Sequence, residues 1–451
     1  MLNRFEVHAH TDYSNFRLVD CVNKIPNLVK YARKIGLKGI AITDHETVSG
    51  HMEANILAQE IIKEDPNFKL ALGNEIYLTD TRESGIEYWH FILIALDKIG
   101  QRQLRELSSV SWMNSYHDRG MERVPTLKSE LEEKIVANPG HIVATTACLG
   151  GEFSKNILRM EEARRIGDVI TAEQSKQNII NFVLWCKKVF GDNFYFECAP
   201  SASKEQIIVN KKMVELAAAF DVKMVIGSDA HYLTQKDRYV HKSYLNSKDG
   251  EREIDAFYEY SYLQTEEEII KNLTPSIADL YEQMCRNSME IWDKIENYSL
   301  LHPQQIPKVD VRNYPKLASN MVEAIREDYP ILASMFESND KVERYWVNEC
   351  TYQLKRLNKD TKKYWQRLEE EADIKRTIGK ALNTNMFAYP VTLQHYVDLF
   401  WKCGSMVGAG RGSSCSGLNH YLLGVTQLDP LEWDLPFWRY LNKERFELGS
   451  L

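Results

Sequence analysis

No run of apolar residues in this sequence approaches the roughly 18 that a membrane-spanning helix needs, so no membrane partner is expected. The opening stretch from Met1 to Ser14 lacks both an apolar segment and a small-residue cleavage site. Nothing there reads as an export signal, and the expected location is cytoplasmic. Paired cysteines are missing too: Cys21, Cys148, Cys186, Cys198, Cys285, Cys350, Cys403 and Cys415 never form Cys-x-x-Cys. That argues against a disulfide framework and against a zinc ribbon, and most of these residues read as buried thiols. An excess of positive charge is also lacking, since 56 Lys and Arg against 64 Asp and Glu leave a net charge of -8. The whole chain therefore has no attraction for nucleic acid, and any DNA contact must come from a local patch. The best patch is Lys355, Arg356, Lys359, Lys362, Lys363 and Arg367, but Glu369, Glu370 and Glu371 follow it, and an ordinary solvated helix face explains it as well. Internal repeats and low-complexity segments are absent, which excludes a solenoid and a disordered tail.

What remains is a chain of 451 residues, long enough for two or three domains and at least one large core. Up to about residue 235, short apolar runs alternate with helical patterns. The candidate strands are Phe5 to His8, Gly39 to Thr43, Leu70 to Glu75, Phe91 to Leu96, Ile142 to Thr146, Phe194 to Glu197 and Met224 to Ile226. Helical patterns such as Ile25 to Ile35 and Gln177 to Val189 lie between them, which predicts an α/β fold with a parallel barrel or wound sheet. Strand signals then thin out, and Pro303, Pro307 and Pro315 mark a connecting stretch before long charged helices. The expected division is 1–275 and 276–451. Further on, Gly408, Gly410 and Gly412 surround Arg411 and precede Ser413 and Ser414, a run that suits either a phosphate cradle or a plain turn.

Polar residues gather where the apolar runs end. His8 and His10 follow the first, Asp44 and His45 the second, Glu75 the third, Cys148 the fifth, and Asp229 with His231 the seventh. In an α/β barrel such ends open on one face, so residues distant in sequence meet there. Imidazole, carboxylate and thiolate are the donors that borderline divalent cations prefer. A lone His-x-His is more often incidental than ligating, and Thr-Asp-His suits a helix N-cap equally well. Chance does not explain the repetition of such fragments at five strand ends in a chain with 12 histidines. His90 opens its strand and so stands outside this pattern, and His51, His117, His141 and His241 read as structural or exposed. A site of this kind suits hydrolysis of phosphate esters, because one ion lowers the pKa of a water from about 15.7 toward 7 and a second, about 3.5 to 4 Å away, holds the oxygens of an in-line displacement. A bridging carboxylate such as Glu75 would fix that spacing. Cysteine in the set favours zinc, manganese or iron over magnesium.

The run His8-Ala9-His10-Thr11, then Asp20, Thr43-Asp44-His45, Gly73-Asn74-Glu75, His90, Cys148 and Asp229-Ala230-His231 resembles the PHP (polymerase and histidinol phosphatase) domain. The resemblance implies a distorted seven-stranded barrel holding two or three divalent ions. By motif, His8, His10, Glu75 and Asp229 would hold the first ion, Glu75, His90 and Cys148 the second, and Asp20, His45 and His231 the third. It also gives His90 the role that strand-end reasoning could not, while Asp12 competes with Asp20. Glu75, Asp229 and His45 are the expected catalytic residues. Val407 to Ser414, Tyr421 to Thr426, Asp429-Pro430 and Tyr440 to Arg445 are similar to the palm of the alpha subunits of bacterial and phage replicative DNA polymerase III, the C-family polymerases. That similarity implies an incomplete nucleotidyltransferase-like palm in which Arg411, Gly412, Ser413 and Ser414 bind nucleotide phosphates. In that family the paired catalytic aspartates follow the Asn442 to Arg445 run, and this sequence reaches Leu451 without an Asp-x-Asp. The expectation is a 3′ to 5′ exonuclease that does not polymerise alone. Its partners would be DNA and the remaining polymerase chain or other replisome subunits. The alternatives are a histidinol-phosphatase-like phosphoesterase, which would not need residues 300–451, and a metal-stabilised scaffold without catalysis.

Overall fold

The computed structural model describes residues 3–16, 19–83, 85–118, 120–247, 257–303 and 305–444. They fall into two compact units, Met1–His302 and Pro303–Leu451.

All seven apolar runs form strands. In chain order the strands are β1 (Phe5–Glu6), β2 (Gly39–Ile42), β3 (Lys69–Thr79), β4 (Trp89–Ala95), β5 (Tyr116–Asp118), β6 (Met121–Arg123), β7 (Thr126–Leu127), β8 (Ile142–Thr145), β9 (Phe194–Cys198) and β10 (Met224–Ile226). The main sheet has the order β1-β2-β3-β4-β8-β9-β10, with β7 beside the end of β3, while β5 and β6 form a separate hairpin. β2 is buried along its whole length, which is why it reads as a continuous apolar run and not as an alternation. Gly39 is needed where β2 meets β3, because a Cβ there would stand 2.3 Å from the Lys69 carbonyl oxygen. A parallel bridge between Ala9 and Ala230 brings the chain past β1 beside the chain past β10, so the sheet nearly closes on itself. The expected all-parallel arrangement is corrected at one place: β4 runs antiparallel to both β3 and β8.

Helices cover the outside of this sheet: α1 (Ile25–Lys34), α2 (His51–Glu64), α3 (Lys98–Met113), α4 (Lys128–Val136), α5 (Glu152–Ile166), α6 (Val169–Phe190), α7 (Lys204–Phe220), α8 (Arg238–Leu245), α9 (Glu266–Leu273) and α10 (Tyr281–Lys294). In α1 the buried Ile25, Leu28, Val29 and Ala32 lie on one helical face, and a proline stands in the first turn. Asp97 caps α3 by accepting from the amides of Ile99 and Gly100, and Ser203 caps α7 by accepting from Gln206.

Side chains alternate along a strand, and that alternation positions the site. Ala71, Ile92, Ile94, Val143, Tyr195 and Val225 share one cluster with Ile291 of α10 and with Ile295 just past its end. Continued along the same faces, the alternation leads to Glu75, His90, Thr145, Glu197 and Gly227.

The expected boundary at 275/276 cuts through the first unit. α10 belongs to the barrel because Asn287 donates to the Met224 carbonyl, Ser288 accepts from the Phe5 amide, and Trp292 donates to the Lys38 carbonyl. The second unit contains α11 (Ser319–Ile325), α12 (Pro330–Phe336), α13 (Lys341–Arg356), α14 (Lys362–Ala381), α15 (Ala388–Lys402) and α16 (Leu418–Leu422) around Trp346, Leu354, Leu368, Phe387 and Leu418. No strand occurs among its described residues, so what they supply of the expected palm is helices and a glycine-rich turn. Arg445, the end of the last palm-like motif, lies outside the described residues. Most of the basic patch is engaged within this unit: Lys355 reaches the Met321 sulfur, Arg356 donates to Gln353, Lys359 pairs with Asp429, Lys363 donates to the Leu431 carbonyl, and Arg367 donates to the carbonyls of Ser416 and Leu435.

Candidate metal centre

The residues singled out at the ends of the apolar runs meet at one edge of the sheet, in three overlapping groups whose donor atoms lie within 4.8 Å of one another. They are His8, His10, Glu75 and Asp229; Glu75, His90 and Cys148; and His10, His45 and His231. The antiparallel direction of β4 explains how His90 joins them. The first residues of an inverted strand lie at the same edge as the last residues of its neighbours, and His90 pairs in register with Tyr77 near the end of β3.

Glu75 links the groups. Its Oε2 stands 2.7 Å from His8 Nε2 and 3.1 Å from His10 Nε2, whereas its Oε1 faces His90 Nδ1 and lies 3.5 Å from His45 Nδ1. Asp229 Oδ1 completes the first group at 3.3 Å from His8 Nε2 and 3.2 Å from His10 Nε2. In the second group Cys148 Sγ is 3.5 Å from His90 Nδ1. The third group differs from the expected set in that His10 takes part. Asp20 spans it, with Oδ2 at 2.8 Å from His45 Nε2 and 3.1 Å from His231 Nε2. Asp12, the competitor, pairs instead with Lys24.

Residues behind the donors fix their orientation, and sequence reading missed them. Glu197 lies 2.5 Å from His8 Nδ1 and accepts its hydrogen bond, which turns Nε2 toward Glu75 and Asp229. Thr145 in turn donates to Glu197. Gly227 must be glycine for the same reason, because a Cβ there would stand 2.2 Å from Glu197 Oε1. Ser14 donates to Asp44 and accepts from His10 Nδ1 at 3.1 Å, which turns His10 Nε2 toward the cluster. His231 Nδ1 donates to the Asp229 carbonyl at 2.8 Å. Tyr258 and His241 hold Asp20, through its Oδ1 at 2.6 Å and its backbone carbonyl at 2.6 Å. Glu197 closes an apolar run, the very signal that singled out Glu75. His51 donates to the Gly73 carbonyl, and His141 pairs with Asp97.

The backbone is strained at the same edge. Glu46, Ala147 and Asp229 have φ of 54°, 58° and 46°, each beside or within the donor set, and such conformations cost of order 1–3 kcal/mol each.

The electrostatics follow from burial and crowding. Burial pushes Glu75 upward, but the imidazoles of His90 and His45 outweigh it and hold the carboxyl well below the usual range. Asp229 is likewise held low against burial by His8 and His231. Burial would lower His8, yet Glu197 and Asp229 raise it well above the ordinary value, and Asp20 with Asp229 raises His231 to about 9. His45 is lowered to about 4 by burial and by His10, and burial drives the Cys148 thiol up. Glu75 Oε1, Asp229 Oδ1 and His45 Nδ1 are buried and make no well-aligned hydrogen bond, so only charge contacts with their neighbours in the cluster compensate them. Clustered imidazole nitrogens, carboxylates that demand positive charge and one sulfur together fit divalent cations.

The other predicted site residues lie in the second unit. Arg411, Gly412 and Ser413 are exposed, Gly412 has φ of 66°, and the Ser414 hydroxyl donates to the Arg411 carbonyl. His420 Nδ1 holds the Ser414 carbonyl at 2.8 Å.

Comparison with known proteins adds three findings. Residues 6–201 match the family described as the PHP domain, and residues 340–449 match the bacterial DNA polymerase III alpha NTPase domain. The probable DNA polymerase YorL of Bacillus subtilis (strain 168) is 39% identical across 98% of this chain and 36% of its own length. The DNA polymerase III subunit alpha of Aquifex aeolicus (strain VF5) is 27% identical across 99% of this chain and 35% of its own. The chain thus spans about a third of the length of the curated relatives it matches. Among solved structures, a candidate metal-dependent phosphoesterase from Bifidobacterium adolescentis aligns with 61% of this chain and 97% of its own, at a TM-score of 0.31 and 16% identity.

Proposed function

We propose that this chain, which carries a PHP domain ahead of a bacterial DNA polymerase III alpha NTPase domain, uses its donor cluster to hydrolyse DNA phosphodiesters from a 3′ end, a proofreading activity. The observation that carries the reading is Glu75, whose two carboxylate oxygens face two different groups of donors while Oε1 makes no well-aligned hydrogen bond. Divalent ions bound there supply a lowered water pKa and positive charge over the phosphate oxygens. The chain's own residues set the geometry. His8, His10 and Asp229 would hold one ion, His90 and Cys148 another, and His45 with His231 a third, where Asp20 joins them, with the protons on His8, His231 and Cys148 given up as the ions bind. His45 is held neutral at physiological pH and so keeps a free lone pair. In the reaction a water oxygen bonds to phosphorus, the bond from phosphorus to the 3′ oxygen breaks, that oxygen takes a proton, and a nucleoside 5′-monophosphate leaves.

DNA and the remaining polymerase chain or other replisome subunits are the proposed partners, with Arg411, Gly412, Ser413 and Ser414 toward nucleotide phosphates. We assign no polymerisation to these residues by themselves, since the sequence holds no Asp-x-Asp to seat the ions of nucleotidyl transfer. A histidinol-phosphatase-like activity would leave the polymerase-like residues 340–449 without a role.

The test is a 5′-labelled primer incubated with metal-loaded protein and with its His8→Ala variant. Stepwise shortening by the first and its loss in the second is the expected result. No shortening, or shortening that survives the substitution, ends the reading.

A further inference from the structure

A cavity of about 240 Å³ opens beside Cys148 and Asp229. His8, His10 and Glu75 have no exposed surface, whereas Cys148 and Asp229 keep 7% and 5% and both line this cavity. Its wall is mostly carbon, with Leu149, Ala199, Pro200 and Tyr260 contributing to it. Ser201 and Ser203 add hydroxyls. The loop that forms one side is fixed in advance: Gln264 donates to the Pro200 carbonyl at 2.9 Å, and Asn210 donates to the Ala199 carbonyl at 3.0 Å.

Resting on the hydrolytic reading above, we propose that this cavity seats the nucleoside of the terminal nucleotide while its phosphate lies on the donor cluster. The volume is below the roughly 300 Å³ at which pockets for drug-sized ligands begin, so it takes one small group and not a length of polymer. A group bonded directly to the phosphate must occupy it, and in DNA that group is a single nucleoside. Tyr260 and Pro200 offer flat surfaces to a base, and stacking of this kind is tolerant of sequence because every base has a π-face. The Ser201 hydroxyl already donates to Ser203, and the Ser203 hydroxyl caps α7, so neither is held ready to choose among bases. The amide nitrogen of Gln206, which could read a base edge, is already engaged by Asn210 at 2.9 Å. Glu205 on the lining disfavours phosphate inside the cavity and leaves it to the cationic side. A blind seat for one nucleoside accounts for removal of end residues over cutting within a strand.

The experiment measures binding of deoxyadenosine and thymidine 5′-monophosphates to the full chain loaded with manganese, beside binding of inorganic phosphate and the bound-metal content. Ala199→Phe fills the cavity, and Tyr260→Ala removes the stacking surface. Both variants are expected to keep the metal content and the affinity for phosphate, and to bind both monophosphates roughly tenfold or more weakly. If Ala199→Phe does not fold, Tyr260→Ala carries the same comparison. Monophosphate binding unchanged in the variants overturns the seat while leaving the nuclease reading intact. A parent protein that binds phosphate yet binds neither nucleotide overturns it too. A parent that binds metal but neither phosphate nor nucleotide, and leaves the 5′-labelled primer whole, removes the underlying reading as well.

Discussion

His8 donates through Nδ1 to Glu197, and that contact determines which ring nitrogen faces Glu75 and Asp229. Glu197→Gln keeps an acceptor in place and removes the charge, so it acts on the basicity of His8 more than on packing. The expected result is a metal affinity about 10- to 100-fold weaker, the usual effect of losing such an orienting group, with the thermal midpoint of the metal-free protein little changed. Calorimetric metal titration beside a melting curve checks this, and an unchanged affinity would mean that the contact only fills space. A second residue makes a pH prediction. Burial lowers His51 to about 4, with its Nε2 donating to the Gly73 carbonyl at 2.8 Å. The folded state therefore needs His51 neutral, so its stability is fully present above the ordinary pKa of about 6.5 and is lost as pH falls from there toward about 4, by roughly 3 kcal/mol in all. Unfolding free energies at pH 7 and pH 4.5 should differ less in His51→Gln than in the parent protein, and equal differences would assign the acid sensitivity to other groups.

At the scale of elements, the closest approach in the sheet is at Gly39, where β2 lies between β1 and β3. Gly39→Ala forces strands apart in a close-packed layer and is expected to cost about 1–3 kcal/mol, read as a lower urea midpoint with unchanged slope. Much of this layer was legible in the sequence, because strands covered on both faces leave unbroken apolar runs and the donors sit where those runs stop. The inversion of β4 was not. In the sequence the third run ends at Glu75, which leaves residues 76–90, a span long enough for a helical crossover. β3 in fact continues through Tyr77 and Leu78 to Thr79, so only residues 80–88 connect it to β4. That connection is too short for a parallel crossover of a dozen or more residues, and an antiparallel pair follows. Glu197 was passed over for another reason: it faces the cluster from behind His8, and a one-dimensional pattern does not separate a donor from the group that orients it. The glycine-rich run at 408–412 kept both of its readings, since a turn and a phosphate cradle demand the same residues.

For the whole molecule, all the candidate donors belong to Met1–His302 and none to Pro303–Leu451. Metal binding should therefore protect one unit selectively. A ligand that binds only the native state stabilises it by about 2.7 kcal/mol at a hundred times its dissociation constant. Hydrogen exchange with and without chelator is expected to show slowed amides in β1, β3, β8 and β10 of the metal-loaded protein, and no change in α13 or α14. Equal protection in both units would contradict this assignment. The inverted strand also carries a consequence for how such a protein can change. Because β4 starts at the donor edge, residues 80–88 return there, and β7 brings the β5–β6 hairpin back to the same edge. Tyr88 and Tyr116 join the two segments through hydroxyls 2.6 Å apart, and Arg82 ties the first to Glu130. None of the candidate ligands lies in the connection between β3 and β4 or in the β5–β6 hairpin, so these two stretches can vary in length and character while the donor cluster and the helices packed on the sheet stay unchanged. Descent can remodel the threshold of the site, and with it what is admitted, without renegotiating the chemistry inside.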